Sequence, residues 1–269
     1  VQEQHQVDDV VVPGAALATV IAQGAAFAVL LRHMMSGHSP LHLKRHDFRP
    51  DRHHIRLALG IGLPASIEQG ARTFGSLLLM ALTALFGTVS LAAYGVGTRP
   101  FFFWFAPMIG LSIATSAVVG QNIGAGQTER AREAARISAG LAFLGFTAIG
   151  IIHLPLLRPL MALMAPGETE VIAEAVTFGW AVFPFMGFMA VTQALNGAVR
   201  GAGSPRQAMT ISLVMQYALQ IPFAWAAALF TTLGVLAVWW SYAFTNVLAA
   251  ALCIAWLLRG PWQRNLVKE

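Results

Sequence analysis

The chain has 269 residues, of which 57% are hydrophobic and 11% are charged, and its mean hydropathy is +0.64. So little polar surface cannot cover a water-soluble globule of this length, so the composition excludes a soluble protein and indicates a membrane protein. The net charge of +5 comes from basic residues between long apolar runs rather than on one basic face, which argues against nucleic-acid binding.

Apolar stretches of about 20 residues, the length that crosses a bilayer as a helix, recur along the chain. Several contain prolines, such as Pro107, Pro184 and Pro222, which remove a helical hydrogen bond and predict bends. The sequence therefore predicts an all-α, polytopic transmembrane helix bundle of about seven spans. In chain order these are 12–31, 57–86, 91–119, 135–157, 171–198, 208–230 and 234–258.

The basic residues between the spans indicate an orientation. If the spans alternate strictly, fourteen of the 17 lysines and arginines fall on one side and Arg158 alone on the other, while Arg72 and Arg99 lie within spans. Basic residues are enriched in cytoplasmic loops. The count therefore predicts a cytoplasmic C-terminus and an N-terminus on the outer side.

Polar side chains within the spans are candidates for binding an ion or a substrate. We take Glu68 as the only carboxylate inside an apolar span, and Arg72 follows at i+4 on the same helical face. Two interpretations stay open: a carboxylate that binds the coupling ion or a cationic drug and is tuned by Arg72, or a structural ion pair near the inner headgroups. Further candidates share helical faces and either line a polar cavity or join helices: Gln193, Asn196, Gln216, Tyr217 and Asn246.

Most of the histidines crowd the segment that precedes the second span. His42 and His46 form an HxxxH pattern that faintly resembles the boxes of membrane desaturases, but the third box that a di-iron site needs is missing. We therefore predict no catalytic metal, no cofactor and no enzymatic activity. A phosphate-binding glycine-rich motif with lysine is also lacking, which argues against an ATP-driven pump.

Five motifs occur in the order and spacing of the multidrug and toxic compound extrusion (MATE) transporters. They are GAALATVIAQ (14–23), GLPASIEQ (62–69), FGTVSLAAYGVGTR (86–99), VGQNIGAGQTERA (119–131) and NGAVRGAGSPR (196–206). On these motifs, residues 13–260 resemble the sixth helix of that family followed by its complete C-terminal lobe of six helices. The resemblance implies an N-terminal tail and first span (1–31), a basic, His-rich cytoplasmic linker (32–56) and a C-terminal six-helix lobe (57–269).

The resemblance also implies a function. A MATE-type protein would be a cation-coupled multidrug antiporter of the bacterial inner (plasma) membrane, exporting organic cations in exchange for protons or sodium ions as two lobes rock about a central site. Its partners would be membrane lipid, cationic drugs, the coupling ion and an N-terminal lobe that this chain is expected to lack. Two glycine-rich motifs would act as cytoplasmic hinges, with Gly120, Gln121, Gly124, Gly126, Arg200, Gly201 and Gly203 as their candidate residues.

Two alternatives to the antiporter stay open. One is a flippase of related fold that exports lipid-linked sugars, although such a protein usually needs a more strongly charged cavity than this sequence offers. The other is a membrane-embedded fragment or assembly partner that transports nothing. Of these three functions, the resemblance favours the antiporter.

Overall fold

The computed structural model describes residues 2–35 and 51–259, and all the regular elements in these ranges are helical. This confirms the predicted all-α class. A 3-10 turn (Phe183–Phe185) joins α6 to α7, and a π-helical segment (Val214–Gln220) joins α8 to α9. In chain order the helices are α1 (Gln2–Met35), α2 (Arg52–Ala84), α3 (Thr88–Gly124), α4 (Thr128–His153), α5 (Leu157–Met164), α6 (Thr169–Val182), α7 (Met186–Gly201), α8 (Pro205–Leu213), α9 (Ile221–Phe230) and α10 (Val235–Arg259).

Five helical stretches of the described ranges are long and apolar enough to cross a membrane, and they match the third to the seventh predicted spans. The first predicted span contains a shorter apolar stretch, Leu17–His33. The second lies in α2, which is not among the five because polar residues such as Glu68 and Arg72 interrupt its apolar run. The five are Thr88–Gly124, Thr128–His153, Thr169–Gly201, Pro205–Phe230 and Val235–Ala255.

Prolines interrupt two of the spans where the sequence predicts bends. Pro184 lies in the 3-10 turn that divides the fifth span, and Pro222 lies in the first turn of α9, directly after the π-helical segment. Because proline lacks an N–H, both sites lose a helical hydrogen bond. In contrast, α3 continues through Pro107 as one helix of 37 residues.

Contacts between Cα atoms divide the chain into two units, Val1–Ala58 and Leu59–Glu269. Within the second unit, one apolar cluster includes Met108, Phe146 and Met186 from α3, α4 and α7. The other surrounds Trp239 of α10, whose ring stacks on Tyr94 at a centroid distance of 5.9 Å. These clusters fix α3, α7 and α10, and α7 and α10 carry three of the seven polar candidates, Gln193, Asn196 and Asn246.

Small residues let α3 and α7 pack backbone against backbone. A Cβ atom placed on Gly197 would collide with the carbonyl oxygen of Ser112, and one placed on Gly201 would collide with that of Ser116. One turn further along α3, a Cβ on Gly120 would lie 3.2 Å from the carbonyl oxygen of Gly201. Such small-residue seams are a usual way for membrane helices to approach closely. The adjoining face of α7, which carries Gln193, Asn196 and Arg200, is turned toward α2 and α8, as the hydrogen bonds described below show.

The two ends of the histidine-rich linker, 32–35 and 51–56, fall within the described residues. Asp51 precedes α2, and its carboxylate accepts the backbone N–H of His53 at 2.9 Å and contacts Nδ1 of His54 at 2.5 Å. The backbone hydrogen bond from His53 is the main cause that holds the pKa of Asp51 below its ordinary value, and the contact with His54 is the second. The HxxxH pattern of His42 and His46 lies outside the described residues.

Candidate binding cavity

A cavity of about 270 Å³ lies within the second unit, bordered by α2, α3, α7, the π-helical segment and α10. Aromatic rings, including Phe101, Phe102 and Phe105, form much of its apolar wall. All the polar residues that the sequence proposes for ion or substrate binding line this one cavity, although their role in binding stays a prediction. They are Glu68, Arg72, Gln193, Asn196, Gln216, Tyr217 and Asn246.

The carboxylate of Glu68 is buried, with 5% of the side chain exposed, and both of its oxygens accept hydrogen bonds. Oε1 accepts from Nη2 of Arg72 at 3.1 Å and from Oγ of Ser212 at 2.8 Å. Oε2 accepts from Nη1 of Arg200 at 3.0 Å. A buried carboxylate is costly unless it is paired in this way. The ion pair that the sequence suggests is thus present, and a role of Glu68 in binding an ion or a drug stays a prediction.

Arg200, which the sequence proposes as a cytoplasmic hinge residue, is a partner of Glu68 in the structure, and its hinge role stays a prediction. Its Nη2 also donates to Oγ of Ser112 at 3.0 Å, and that hydroxyl donates to the carbonyl oxygen of Gln193 at 2.6 Å. Arg200 is not among the residues that line the cavity. Its position seven residues after Gln193, on the same face of α7, is the sequence signal that would have placed it here.

Arg72 presents its guanidinium group to the cavity. Nη1 donates to Oε1 of Gln193 at 3.2 Å, and the guanidinium carbon lies 5.7 Å from the centroid of the Phe105 ring. Nε is buried and has no hydrogen-bond partner. Together with Arg200 and Glu68, Arg72 forms a cluster of two guanidinium groups and one carboxylate, with a formal charge of +1.

Uncharged groups continue the network around this cluster. Asn196 donates from Nδ2 to Oγ of Ser212 at 3.2 Å, while its Oδ1 is buried without a partner. The hydroxyl of Tyr217 donates to the carbonyl oxygen of Ala71 at 2.7 Å and thereby ties the π-helical segment to α2. Ser212 joins the carboxylate to the amide, and the spacing of polar residues along the sequence gives no sign of this role.

Glu174 shows that Glu68 is not the only carboxylate inside an apolar span. It lies in α6, within the predicted span 171–198, and is partly buried between Ala173 and Ala175. Its Oε1 is buried without a hydrogen-bond partner. The residue does not line the cavity. Its apolar neighbours in the sequence are a sufficient signal, and it is a second acid within a predicted span.

The two glycine-rich motifs contain turns, but most of their residues are helical. Gly126 (φ +72°) and Gly203 (φ +77°) adopt the left-handed conformation that favours glycine, and they follow the ends of α3 and α7. The prediction that the motifs turn the chain therefore holds at these two residues. The remaining glycines and the amide lie within or at the last residue of a helix: Gly120, Gln121, Gly124 and Gly201.

The membrane-length helices and the cavity among them define the class: a polytopic, helical membrane protein with a pocket of small-molecule size inside its bundle. The model of the MatE family matches residues 64–226. The chain belongs to this family, which confirms the resemblance inferred from the five motifs.

Curated relatives carry names that refer to drug resistance. The probable multidrug resistance protein NorM of Thermotoga maritima is 24% identical over 256 residues, which cover 95% of this chain and 55% of that protein. The probable multidrug resistance protein YoeA of Bacillus subtilis is 26% identical, with 85% of this chain and 50% of that protein covered. The chain thus spans about half the length of the curated relatives that it matches.

Solved structures share the fold. A MATE protein in complex with MaL6 superposes with a TM-score of 0.87 at 19% identity, covering 95% of this chain and 57% of that one. A transporter of the MOP superfamily from Pyrococcus furiosus, described as having a binding pocket of reverse polarity that suggests a different function, superposes with a TM-score of 0.67 at 23% identity. The latter match covers 73% of this chain and 43% of that one.

Proposed function

We propose that this chain forms the C-terminal part of a multidrug efflux transporter, which moves amphipathic small molecules across a membrane by alternating access. The observation that carries the proposal is the cavity, which combines aromatic walls with a few polar groups inside a bundle of the MatE family. Its volume of about 270 Å³ is near the lower end of small-molecule sites, roughly 300 Å³. A site of this size fits a cavity that a second lobe completes.

The proposed movement is that of a rigid lobe against a partner lobe. The glycine seam joins α3 to α7, and the charged cluster joins α2 to α7 through Arg200 and to α8 through Ser212. Because these contacts cross-link four helices on one side of the cavity, they support rocking of the lobe as a body. We propose that the turns at Gly126 and Gly203 hold neighbouring helices together during this movement.

We propose that transport is coupled to a proton or sodium gradient and that organic cations are among the exported drugs, as the resemblance implies. Both oxygens of Glu68 are already bonded. The coupling ion therefore binds elsewhere, with Glu174 and the lobe outside this sequence as candidates. The proposed location is the inner membrane of a bacterium, with the C-terminus in the cytoplasm.

The test restores a second lobe and blocks the cavity. Residues 1–269 are fused to the N-terminal lobe of a related transporter and expressed in an efflux-deficient bacterium, and accumulation of a fluorescent drug is measured. Thr73 lines the cavity and is exposed, so Thr73→Trp should narrow the cavity and abolish efflux. Ala173→Trp, on an exposed position of α6 away from the cavity, is the matched control and should retain efflux.

Two results would contradict the proposal. The fusion could reach the membrane in normal amount and still leave drug accumulation at the level of an empty vector, which would favour the non-transporting alternative. Equal efflux by Thr73→Trp and the unmodified fusion, at equal abundance, would show that substrates do not pass through this cavity.

A further inference from the structure

The charged cluster exposes its excess positive charge to the cavity through Arg72 rather than through Arg200. The two arginine side chains are exposed to a similar extent, 28% for Arg72 and 29% for Arg200, but Arg72 lines the cavity and Arg200 does not. Since Arg200 neutralises the carboxylate from outside the cavity, the charge of Arg72 is left without a full counter-charge. Among the residues that line the cavity, Glu68 and Arg72 are the charged ones.

The guanidinium group of Arg72 also has unused donors. Of its five N–H groups, one on Nη1 reaches Gln193, one on Nη2 reaches Glu68, and the N–H of Nε is buried without a partner. A guanidinium group offers donors in a planar fork that suits carboxylate, sulfonate and phosphate groups. Its place beside the Phe105 ring joins these donors to an apolar wall.

A cationic group has no comparable partner in this cluster. Each oxygen of Glu68 already accepts from an arginine, and the carboxylate is 5% exposed. A cation next to Arg72 would be repelled in an environment that screens charge less than water does. The electrostatics of this cavity therefore favour a negative group.

We propose that Arg72 is the ligand for the negative group of an amphipathic organic anion, whose apolar part lies against the aromatic wall of the cavity. This inference deepens the proposed function by naming a class of substrate, and it rests on that function for its physiological meaning. Glu68 and Arg200 act as positioning residues, because they hold the guanidinium group of Arg72 at the cavity. Cationic drugs would then depend on groups of the partner lobe.

Binding to the purified chain tests this directly with three probes that share one apolar body. Naphthalene-2-sulfonate, 2-naphthyltrimethylammonium and 2-naphthol carry charges of −1, +1 and zero, and calorimetric titration in neutral detergent gives their affinities. We expect the sulfonate to bind at least tenfold more tightly than the ammonium probe, with the neutral alcohol between them. Equal or tighter binding of the ammonium probe, or no binding of the sulfonate, would overturn the proposal, and neither result depends on any variant.

Two double variants separate Arg72 from the net charge. Glu68→Gln with Arg200→Gln keeps Arg72, and Glu68→Gln with Arg72→Gln keeps Arg200, so both retain the formal charge of +1 of the native cluster. The first should still prefer the sulfonate, by a smaller factor because the groups that position Arg72 are gone, and the second should show no preference for it. Arg158→Gln, at an exposed position of α5, is the control for removal of an arginine and should behave like the native chain. Identical behaviour of the two double variants would show that Arg72 is not the ligand.

The negative amphiphile could be a free organic anion or an anionic lipid, and competition distinguishes the two. Displacement of the sulfonate by phosphatidylglycerol, but not by phosphatidylcholine, would identify a lipid headgroup as the source. Failure of both lipids to compete would identify a free organic anion as the source of the negative group. Loss of the charge preference would refute this inference while leaving the efflux test unchanged. A preserved preference without efflux from the fused transporter would refute only the proposed function.

Discussion

Replacing Glu68 by glutamine removes the charge that holds two arginines together while keeping the shape of the side chain. In the structure, Glu68 accepts from Arg72 at 3.1 Å and from Arg200 at 3.0 Å. A hydrogen bond to a charged group contributes about 1.5–3 kcal/mol. The two arginine side chains are 28% and 29% exposed, so water offsets part of the loss. We expect Glu68→Gln to lower the free energy of unfolding by about 2–4 kcal/mol.

Thermal unfolding in detergent measures this loss. For a chain of this size, 1 kcal/mol corresponds to roughly 2–4 °C, so the Tm should fall by about 5–15 °C. Adding Arg72→Leu should restore only part of the Tm, because Arg200 would still lack its partner, and adding Arg200→Leu as well should restore most of it. The matched control is Glu129→Gln, which breaks an exposed ion pair with Arg132 and should change the Tm by less than about 2 °C.

The reasoning would be refuted if Glu68→Gln unfolded at the same temperature as the native chain. That result would mean that the ion pairs do not stabilise the fold, and a role for Glu68 in ion or drug binding would become the better explanation. A full recovery of Tm by Arg72→Leu alone would instead show that Arg200 gains nothing from Glu68.

Three further predictions address topology, dependence on a second lobe, and helix packing. Cysteines introduced at 38–54 should be labelled only from the cytoplasmic side and those at 166–168 only from outside, and labelling of both from one side would contradict the orientation. The chain expressed without another lobe should give no more drug resistance than an empty vector, and resistance above that level would show that one lobe suffices or that two copies pair. Gly197→Ala should lower stability by about 1–3 kcal/mol because its Cβ meets the backbone of Ser112, whereas Gly140→Ala, at an open helical position, should be neutral or stabilising. Equal Tm values for these two variants would contradict the assigned packing of α3 on α7.

The membrane helices could be predicted because the length of an apolar run follows directly from bilayer thickness. Predicted span 135–157 and α4, Thr128–His153, differ at their ends because helices continue beyond the hydrocarbon region and stop at local turns. The breaks at Pro184 and Pro222 were also accessible, since proline lacks the donor that a helix needs. The loss of one donor alone does not predict that α3 continues through Pro107 as a single helix.

The cavity residues and the i, i+4 pair of Glu68 with Arg72 could be proposed from helical periodicity, but the partners on other helices could not. Periodicity groups Gln193 with Asn196 on one helix, yet it contains no information on which helix lies opposite. The bonds from Glu68 to Arg200 and to Ser212 join residues far apart in the sequence, so only the fold reveals them. Arg200 was assigned to the cytoplasmic surface because it stands at a helix end among glycines, a place where basic residues are common.

The glycine seam and the charged cluster together hold α7 in place against two helices, α3 and α2. Gly197 and Gly201 pack the helix against the backbone of α3, and Arg200, directly before Gly201, reaches both Ser112 of α3 and Glu68 of α2. A sliding movement of α7 along α3 would have to break backbone packing and two charged hydrogen bonds at once. If the proposed cavity binds a substrate, we expect this wall to change least and any adjustment to fall on the π-helical segment (Val214–Gln220), whose helical hydrogen bonds already depart from the regular α pattern.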